Sequence, residues 1–202
     1  MNDNTAEQEY WENRWHNAET GWDLGSVSVP LRIYFNQLDN PDLRILIPGA
    51  GNGYEAEYLW KKGFKNVFVL DIAQPPLDAL QKRTADFPAD RLLRENFFEH
   101  TGEYDLIIEQ TFFCSFEPYP ENRLAYARKM HELLAPGGKL AGLWFRHPLV
   151  YPPEGTRPFG GSQEEYLSYF EPYFEVVSFD VCGNSIKPRR GNELFGLFKR
   201  SF

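Results

Sequence analysis

The stretch Leu43-Arg44-Ile45-Leu46-Ile47-Pro48-Gly49-Ala50-Gly51-Asn52-Gly53 decides how this chain folds. A short apolar run stops at a proline and opens into glycines at alternate positions. Tyr54 to Lys62 then has helical composition, ended by Gly63. Strand, glycine turn and helix in that order form a nucleotide-type binding turn. Glycines permit positive φ and let the backbone approach a ligand closely. The N–H groups at the start of the helix receive a carboxylate or phosphate. The next apolar run, Asn66 to Leu70, ends on Asp71. A carboxylate there accepts hydrogen bonds from both hydroxyls of a ribose; an acidic turn residue or helix cap is the alternative reading.

Outward from this unit, strand and helix patterns alternate. Pro75 and Pro76 suit the first turn of a helix running to about Asp86. A short strand covers Arg91 to Glu95, another Tyr104 to Ile108, and an amphipathic helix runs from Glu121 to Leu134. Pro136-Gly137-Gly138 breaks that helix before a strand from Lys139 to Phe145. Glu164 to Tyr169 forms one more helix, and Val176–Val181 and Glu193–Lys199 read as strands with only a polar segment between them. The pattern predicts an α/β, Rossmann-like, mostly parallel seven-stranded sheet with helices on both faces and a C-terminal antiparallel hairpin. Upstream, Trp11 and Trp15 stand four apart, on one face of a helix. Gly25 to Pro30 reads as loop and Leu31 to Leu38 as a short amphipathic helix. One domain is expected over residues 1–202, with an N-terminal helical segment (1–40) and an α/β core (41–202).

Composition narrows the function classes. Hydrophobic content of 42% and charged content of 25% are those of an ordinary globular protein, which argues against disorder. A formal net charge of -8 makes nucleic acid a poor partner, since phosphate binding needs a basic surface. The one basic cluster, Lys187-Pro188-Arg189-Arg190, reads as a solvated turn. Cys114 and Cys182 are too few for a disulfide framework, and no Cys or His falls at metal-ligand spacing. Cys114 reads as a small buried apolar residue. No apolar run reaches membrane-spanning length and none resembles a signal core, so no membrane partner is expected and the cytoplasm is the default compartment.

The glycine spacing separates two cofactor types. A dinucleotide fingerprint is Gly-x-Gly-x-x-Gly, whereas this loop is Gly-x-Gly-x-Gly followed by Tyr54 and Glu55. A helix start carrying Glu55 and Glu57 serves a pyrophosphate poorly; a methionine moiety, with amino and carboxylate groups, tolerates it better. Asn96 and Phe97 follow the third strand, where a polar side chain meets an adenine amine and a phenylalanine packs the ring. Glu109 and Gln110 close the next strand, at the edge where α/β sheets bind ligands.

Together with the helix–turn–strand Leu133 to Leu140, these segments resemble class I S-adenosylmethionine-dependent methyltransferases across about residues 43 to 200. Trp11-x-x-x-Trp15, Thr20-Gly21-Trp22-Asp23, and Tyr104-Asp105 through Thr111-Phe112-Phe113-Cys114 are similar to the thiopurine and thiol/halide methyltransferase superfamily over most of the chain. The resemblance implies S-adenosyl-L-methionine as cofactor and a small-molecule methyl acceptor, sulfur before oxygen or nitrogen. It implies Trp11, Trp15 and Trp22 as a lid, Gly49 and Gly51 as the loop contacts, and Asp71 with Ile72 at the ribose. Asn96 and Phe97 would meet adenine, and Glu109 and Gln110 the methionine end or the active-site mouth. Asn96 stands where the family often has an acid, and Gln110 where the thiol/halide branch commonly has an aromatic residue. Arg146 and His147 are the candidates to orient or deprotonate an acceptor; a surface position in the following loop is the alternative. An O- or N-methyltransferase, a nicotinamide-dependent oxidoreductase and a non-catalytic adenosine-ligand sensor are the competing readings.

Overall fold

The computed structural model describes residues 3–146 and 157–201. In chain order the elements are α1 (Asp3–His16), α2 (Val29–Phe35), β1 (Ile45–Pro48), α3 (Tyr54–Lys62), β2 (Val67–Asp71), α4 (Gln74–Arg83) and β3 (Leu92–Arg94). Then come β4 (Tyr104–Gln110), α5 (Pro120–Leu133), β5 (Leu134–Phe145), α6 (Gln163–Phe170), β6 (Phe174–Val181) and β7 (Glu193–Arg200). One seven-stranded sheet has the order β3-β2-β1-β4-β5-β7-β6. The pairs β1–β2, β1–β4, β2–β3 and β4–β5 are parallel. β7 runs antiparallel to both β5 and β6.

The alternation of β1 shows how one strand feeds two cores. Ile45 and Ile47 point into a cluster with Leu31 of α2, Leu59 of α3 and Leu77 and Leu80 of α4. Leu46 points the other way, to Tyr126 and Met130 of α5 and Phe170 of α6. Both faces are therefore covered by helices, as a parallel sheet with buried strands requires. Strand order reverses between β1 and its neighbours β2 and β4, which opens a crevice at their carboxyl ends.

Local chemistry sets the boundaries. Prolines occupy the first turn of α2, α4 and α5, where a missing N–H costs nothing. Gly63, left-handed at φ 106°, ends α3 by returning its N–H to Leu59 and Trp60. Helix α4 stops at Arg83, short of the expected Asp86, which lies beyond the Thr84 cap and accepts from the Trp60 indole at 2.9 Å. β5 starts at Leu134 rather than Lys139. Tyr104 pairs with Leu134 and Leu106 with Lys139, so Pro136-Gly137-Gly138 is absorbed as an irregularity inside the strand. A Cβ on Gly138 would lie 3.0 Å from the Tyr104 carbonyl oxygen, which explains the glycine.

Gly142 of β5 faces Glu109 so closely that a Cβ would collide with its backbone oxygen and side chain. Gly142→Ala is expected to lower unfolding free energy by about 1–3 kcal/mol in urea titrations. Gly183→Ala, with nothing within 4 Å of the new Cβ, should change it little.

Candidate active site

A cavity of about 800 Å³ sits over the carboxyl ends of β1, β2, β4 and β5. Ten of the sequence-predicted residues line it: Trp11, Trp15, Trp22, Gly49, Gly51, Asp71, Ile72, Asn96, Phe97 and Gln110. The glycine loop is left-handed at Gly49 (φ 56°), Gly51 (φ 51°) and Gly53 (φ 67°), a run that only glycine adopts without strain. Packing adds a second reason. A Cβ on Gly49 would enter the Phe112 ring, and one on Gly53 would lie 2.8 Å from Leu80.

Asp71 ends β2 with its carboxylate buried. One oxygen accepts from the Ala73 N–H at 2.9 Å and the other from the Gly51 N–H at 3.3 Å. Burial pushes its carboxyl up to about 6, against the pull of these backbone N–H groups. Asn96 turns its carbonyl to the Phe98 N–H at 2.8 Å. Phe97, Phe98, Phe112 and Phe116 make edge-on contacts around this end of the cavity, with ring centroids 4.8–5.3 Å apart.

The tryptophans converge from one segment. Trp11 and Trp15 of α1 stand edge-on to Trp22, with centroids 5.5 and 5.8 Å apart. The Trp22 indole nitrogen lies 3.8 Å from where a Gly51 Cβ would be, so the ring closes over the loop. Two ion pairs fasten α1: Glu7 to Arg157 at 2.9 Å and Glu12 to Arg94 at 2.7 Å. Glu7 also accepts from the Trp11 indole at 2.9 Å.

Glu109 is a correction. It was expected beside the methionine end or the mouth, but it lies wholly buried outside the cavity lining. Its carboxylate accepts from the Phe112 and Phe113 N–H groups and from the Tyr126 hydroxyl. The reason is alternation: Gln110 takes the cavity side, so its neighbour faces the packed α5 side. Glu109 thereby holds the turn after β4, where Thr111 is left-handed at φ 56°. Burial pushes Glu109 up to about 7. Arg146 is exposed and does not line the cavity, and His147 falls outside the described residues. Cys114 is a buried thiol, driven up to about 12 by desolvation, as befits a small apolar residue. Among the described residues no group of three or more His, Cys, Asp or Glu could hold a metal ion.

Two arginines were not foreseen. Arg189, placed in a solvated turn by its sequence neighbours, is 8% exposed and lines the cavity. It pairs with Glu193 at 3.1 Å, donates to the Trp22 carbonyl at 2.7 Å and lies over the Phe145 ring at 5.0 Å. The spacing to Glu193 at the head of a strand was the one available signal. Arg157 pairs with Glu7, donates to the Ser115 carbonyl and stacks on Tyr10 at 4.5 Å. Nothing in the sequence marks it, since its partners are about 40 and 150 residues away.

The Asp71 carboxylate sits at one end of the cavity, bonded to the glycine loop. A nucleoside with a short charged tail fits that plan, the requirement of an S-adenosylmethionine-dependent methyltransferase. A family model for thiopurine S-methyltransferase matches residues 6–199. The chain is 32% identical to a probable thiol methyltransferase 2 of Arabidopsis thaliana, over 95% of this chain and 84% of that protein. It is 30% identical to thiocyanate methyltransferase 1 of Brassica oleracea, covering 97% of this chain and 87% of that one. Among solved structures, the 1,6-didemethyltoxoflavin N1-methyltransferase of Burkholderia thailandensis, with bound S-adenosylhomocysteine, superposes with a TM-score of 0.74. It shares the fold at 18% identity, over 96% of this chain and 87% of its own. The chain belongs to the thiopurine S-methyltransferase family. It is a methyltransferase that uses S-adenosyl-L-methionine.

The position of Glu109 gives a stability prediction. A carboxyl raised from 4.5 to about 7 in the fold contributes stability that is present below pH 4.5 and lost as pH rises through 7. In Glu109→Gln the amide oxygen accepts the two N–H groups and the amide nitrogen donates to the Tyr126 hydroxyl. The variant is expected to match wild type at pH 5 and to exceed it on the order of 2 kcal/mol at pH 8, read from urea melts.

Proposed function

We propose that this chain transfers the methyl group of S-adenosylmethionine to a small sulfur nucleophile by in-line displacement. The supporting observation is the composition of the cavity end between β4 and β5. Phe112, Cys114, Phe145, Pro158 and Pro188 line it together with Arg157, Arg189 and Asn192. Among the described residues no histidine or lysine lines the cavity, so none of these offers a nitrogen base to a hydroxyl. A thiol that ionises near neutral pH does not need one, and two guanidinium groups favour its anionic form. The names of the relatives, a thiol and a thiocyanate methyltransferase, agree with that acceptor class.

In this reading Asp71 accepts from the ribose hydroxyls, Asn96 and Phe97 hold adenine, and Gln110 faces the methionine end. Trp11, Trp15 and Trp22 roof the sulfonium, each ring within reach worth about 0.5–2 kcal/mol by its quadrupole. The protein's contribution is then alignment: nucleophile, methyl and sulfur held in line, water excluded. Glu109 acts at one remove, by holding the turn that carries Gln110 and Phe112. Residues 1–40 serve as the lid and residues 41–202 as the core of one domain. The acceptor is a small molecule rather than nucleic acid, in keeping with the charge of -8. We place the reaction in the cytoplasm, consistent with two cysteines that are both free. No helix among the described residues is long and apolar enough to cross a membrane.

A panel of thiols, halides, phenols and amines with labelled cofactor tests the acceptor. Thiols should be methylated, faster as the thiolate fraction rises; turnover of phenols or amines with inert thiols would sink the proposal. Asp71→Ala should weaken S-adenosylhomocysteine binding by about 1.5–3 kcal/mol in calorimetry. Unchanged affinity in the folded variant would remove Asp71 from the ribose site.

A further inference from the structure

A hoop of contacts runs round the main cavity, beginning and ending at the glycine loop. The Trp22 indole nitrogen lies 3.8 Å from where a Gly51 Cβ would be, and the Trp22 ring stands edge-on to Trp11 at 5.5 Å. The Trp11 indole donates to Glu7 Oε1 at 2.9 Å, and the same oxygen accepts from Arg157 Nη2 at 2.9 Å. Arg157 Nε donates onward to the Ser115 carbonyl, and the Ser115 hydroxyl to the Phe112 carbonyl at 2.6 Å. The Phe112 ring fills the space that a Gly49 Cβ would need, which closes the hoop. Every residue in it lines the cavity.

Arg157 joins the two halves of this hoop. On one side stand the tryptophans of the N-terminal segment, on the other the turn after β4 that carries Phe112. The planar fork of a guanidinium suits the place. Nη2 meets both Glu7 oxygens, at 2.9 and 3.0 Å, while Nε reaches Ser115. The same group lies over the Tyr10 ring at 4.5 Å and the Trp11 ring at 5.3 Å, which holds the fork in one orientation. The pair with Glu7 stays partly open to water, so it contributes little to global stability. A tie that adds little stability yet touches both walls of the cavity acts on the distance between them.

We propose that Arg157 is a positioning residue for methyl transfer, setting the gap between the Trp11 side of the cavity and the Phe112 side. In the transfer a thiolate lone pair forms the new S–C bond as the C–S bond of the sulfonium breaks, and neutral S-adenosylhomocysteine leaves. Nucleophile, methyl and sulfur must stay in line, and a misplacement of about 1 Å costs on the order of 10²-fold in rate. Phe112 belongs to the acceptor wall between β4 and β5, and Trp11 to the roof over the sulfonium. Arg157 holds the two to each other without touching the reacting atoms. Asp71 is held instead by backbone N–H groups of Ala73 and Gly51, so the ribose contact survives loss of the tie.

The inference rests on a thiol as acceptor, and the test separates the two. Steady-state rates with thiophenol and S-adenosylmethionine, calorimetry with S-adenosylhomocysteine and urea melts would be compared across wild type and four variants. These are Arg157→Ala, Arg157→Lys, Glu7→Ala and the double alanine variant. Arg157→Ala and Glu7→Ala should each lower kcat roughly tenfold or more, with S-adenosylhomocysteine affinity within about threefold and the urea midpoint little moved. The double variant should be no slower than the slower single one, because both substitutions remove one tie. Arg157→Lys keeps a cation for Glu7 but has no second prong for Ser115. It should lose part of kcat, and it decides the matter should Arg157→Ala fail to fold. Three outcomes overturn the inference and leave the acceptor reading intact: unchanged kcat in a folded Arg157 variant, losses that multiply in the double variant, or S-adenosylhomocysteine affinity falling in step with kcat. A wild type that methylates no thiol removes the acceptor reading and the inference with it.

Discussion

A buried carboxylate at the end of β2 organises the binding edge of this sheet. Among the described residues no guanidinium or ammonium pairs with Asp71; its oxygens are held by backbone N–H groups of Ala73 and Gly51. One of those donors belongs to the turn after β1, so the two central strand ends are locked to each other through a side chain. The Gly51 N–H reaches Asp71 only because the loop runs left-handed at alternate residues. The same path brings Gly49 under Phe112, Gly53 against Leu80 and Gly51 beneath Trp22. A single constraint thus fixes the loop, the wall opposite it and the roof above it.

Asp71 and Glu109 are both raised by burial, yet they serve the site differently. Asp71 lines the cavity, so its carboxylate is reached from it. Glu109 is enclosed, and its donors are already the backbone of Phe112 and Phe113 and the Tyr126 hydroxyl. What those bonds maintain is a turn containing a β-branched residue at positive φ, a conformation costing of order 1–3 kcal/mol. Strain is tolerated there because the turn sets where Gln110 and Phe112 project. Stability near neutral pH is given up at both carboxyls, one lining the cavity and the other holding a turn of its wall.

Much of this was legible in the sequence, and the boundary follows the range of the interactions. The βαβ unit from Ile45 to Asp71, the prolines opening α4 and α5 and the hairpin at the end are written in local periodicity and turn chemistry. Seven strands and helices on two faces follow from them. That Gly49, Asp71, Asn96 and Gln110 gather at one edge was legible too, because a parallel sheet sends every strand end to one side. Arg189 was not, since Lys187 to Arg190 looks like a charged turn until Glu193 and the Trp22 carbonyl are brought to it. Glu109 was misplaced by one step of alternation: adjacent residues at a strand end face opposite sides, and the motif alone does not say which faces the ligand. Pro136-Gly137-Gly138 was read as a boundary because its composition breaks helices, whereas the ladder with β4 resumes on both sides of it.

The three tryptophans over the cavity are attached unevenly. Trp22 is held through its carbonyl by Arg189, whose pairing with Glu193 is almost fully buried. Breaking a buried pair leaves an uncompensated charge and costs several kcal/mol. Helix α1, carrying Trp11 and Trp15, is held instead by Glu7–Arg157 and Glu12–Arg94, pairs that remain partly open to water. Such pairs are worth about 0–1 kcal/mol each. Between the two attachments the chain turns through Ala18, left-handed at φ 54°, a conformation that favours glycine. The ion pairs that hold α1 are therefore weaker than the one that holds Trp22. The division is between a tryptophan whose backbone is tied to a buried ion pair and two whose helix is tied by ion pairs open to water.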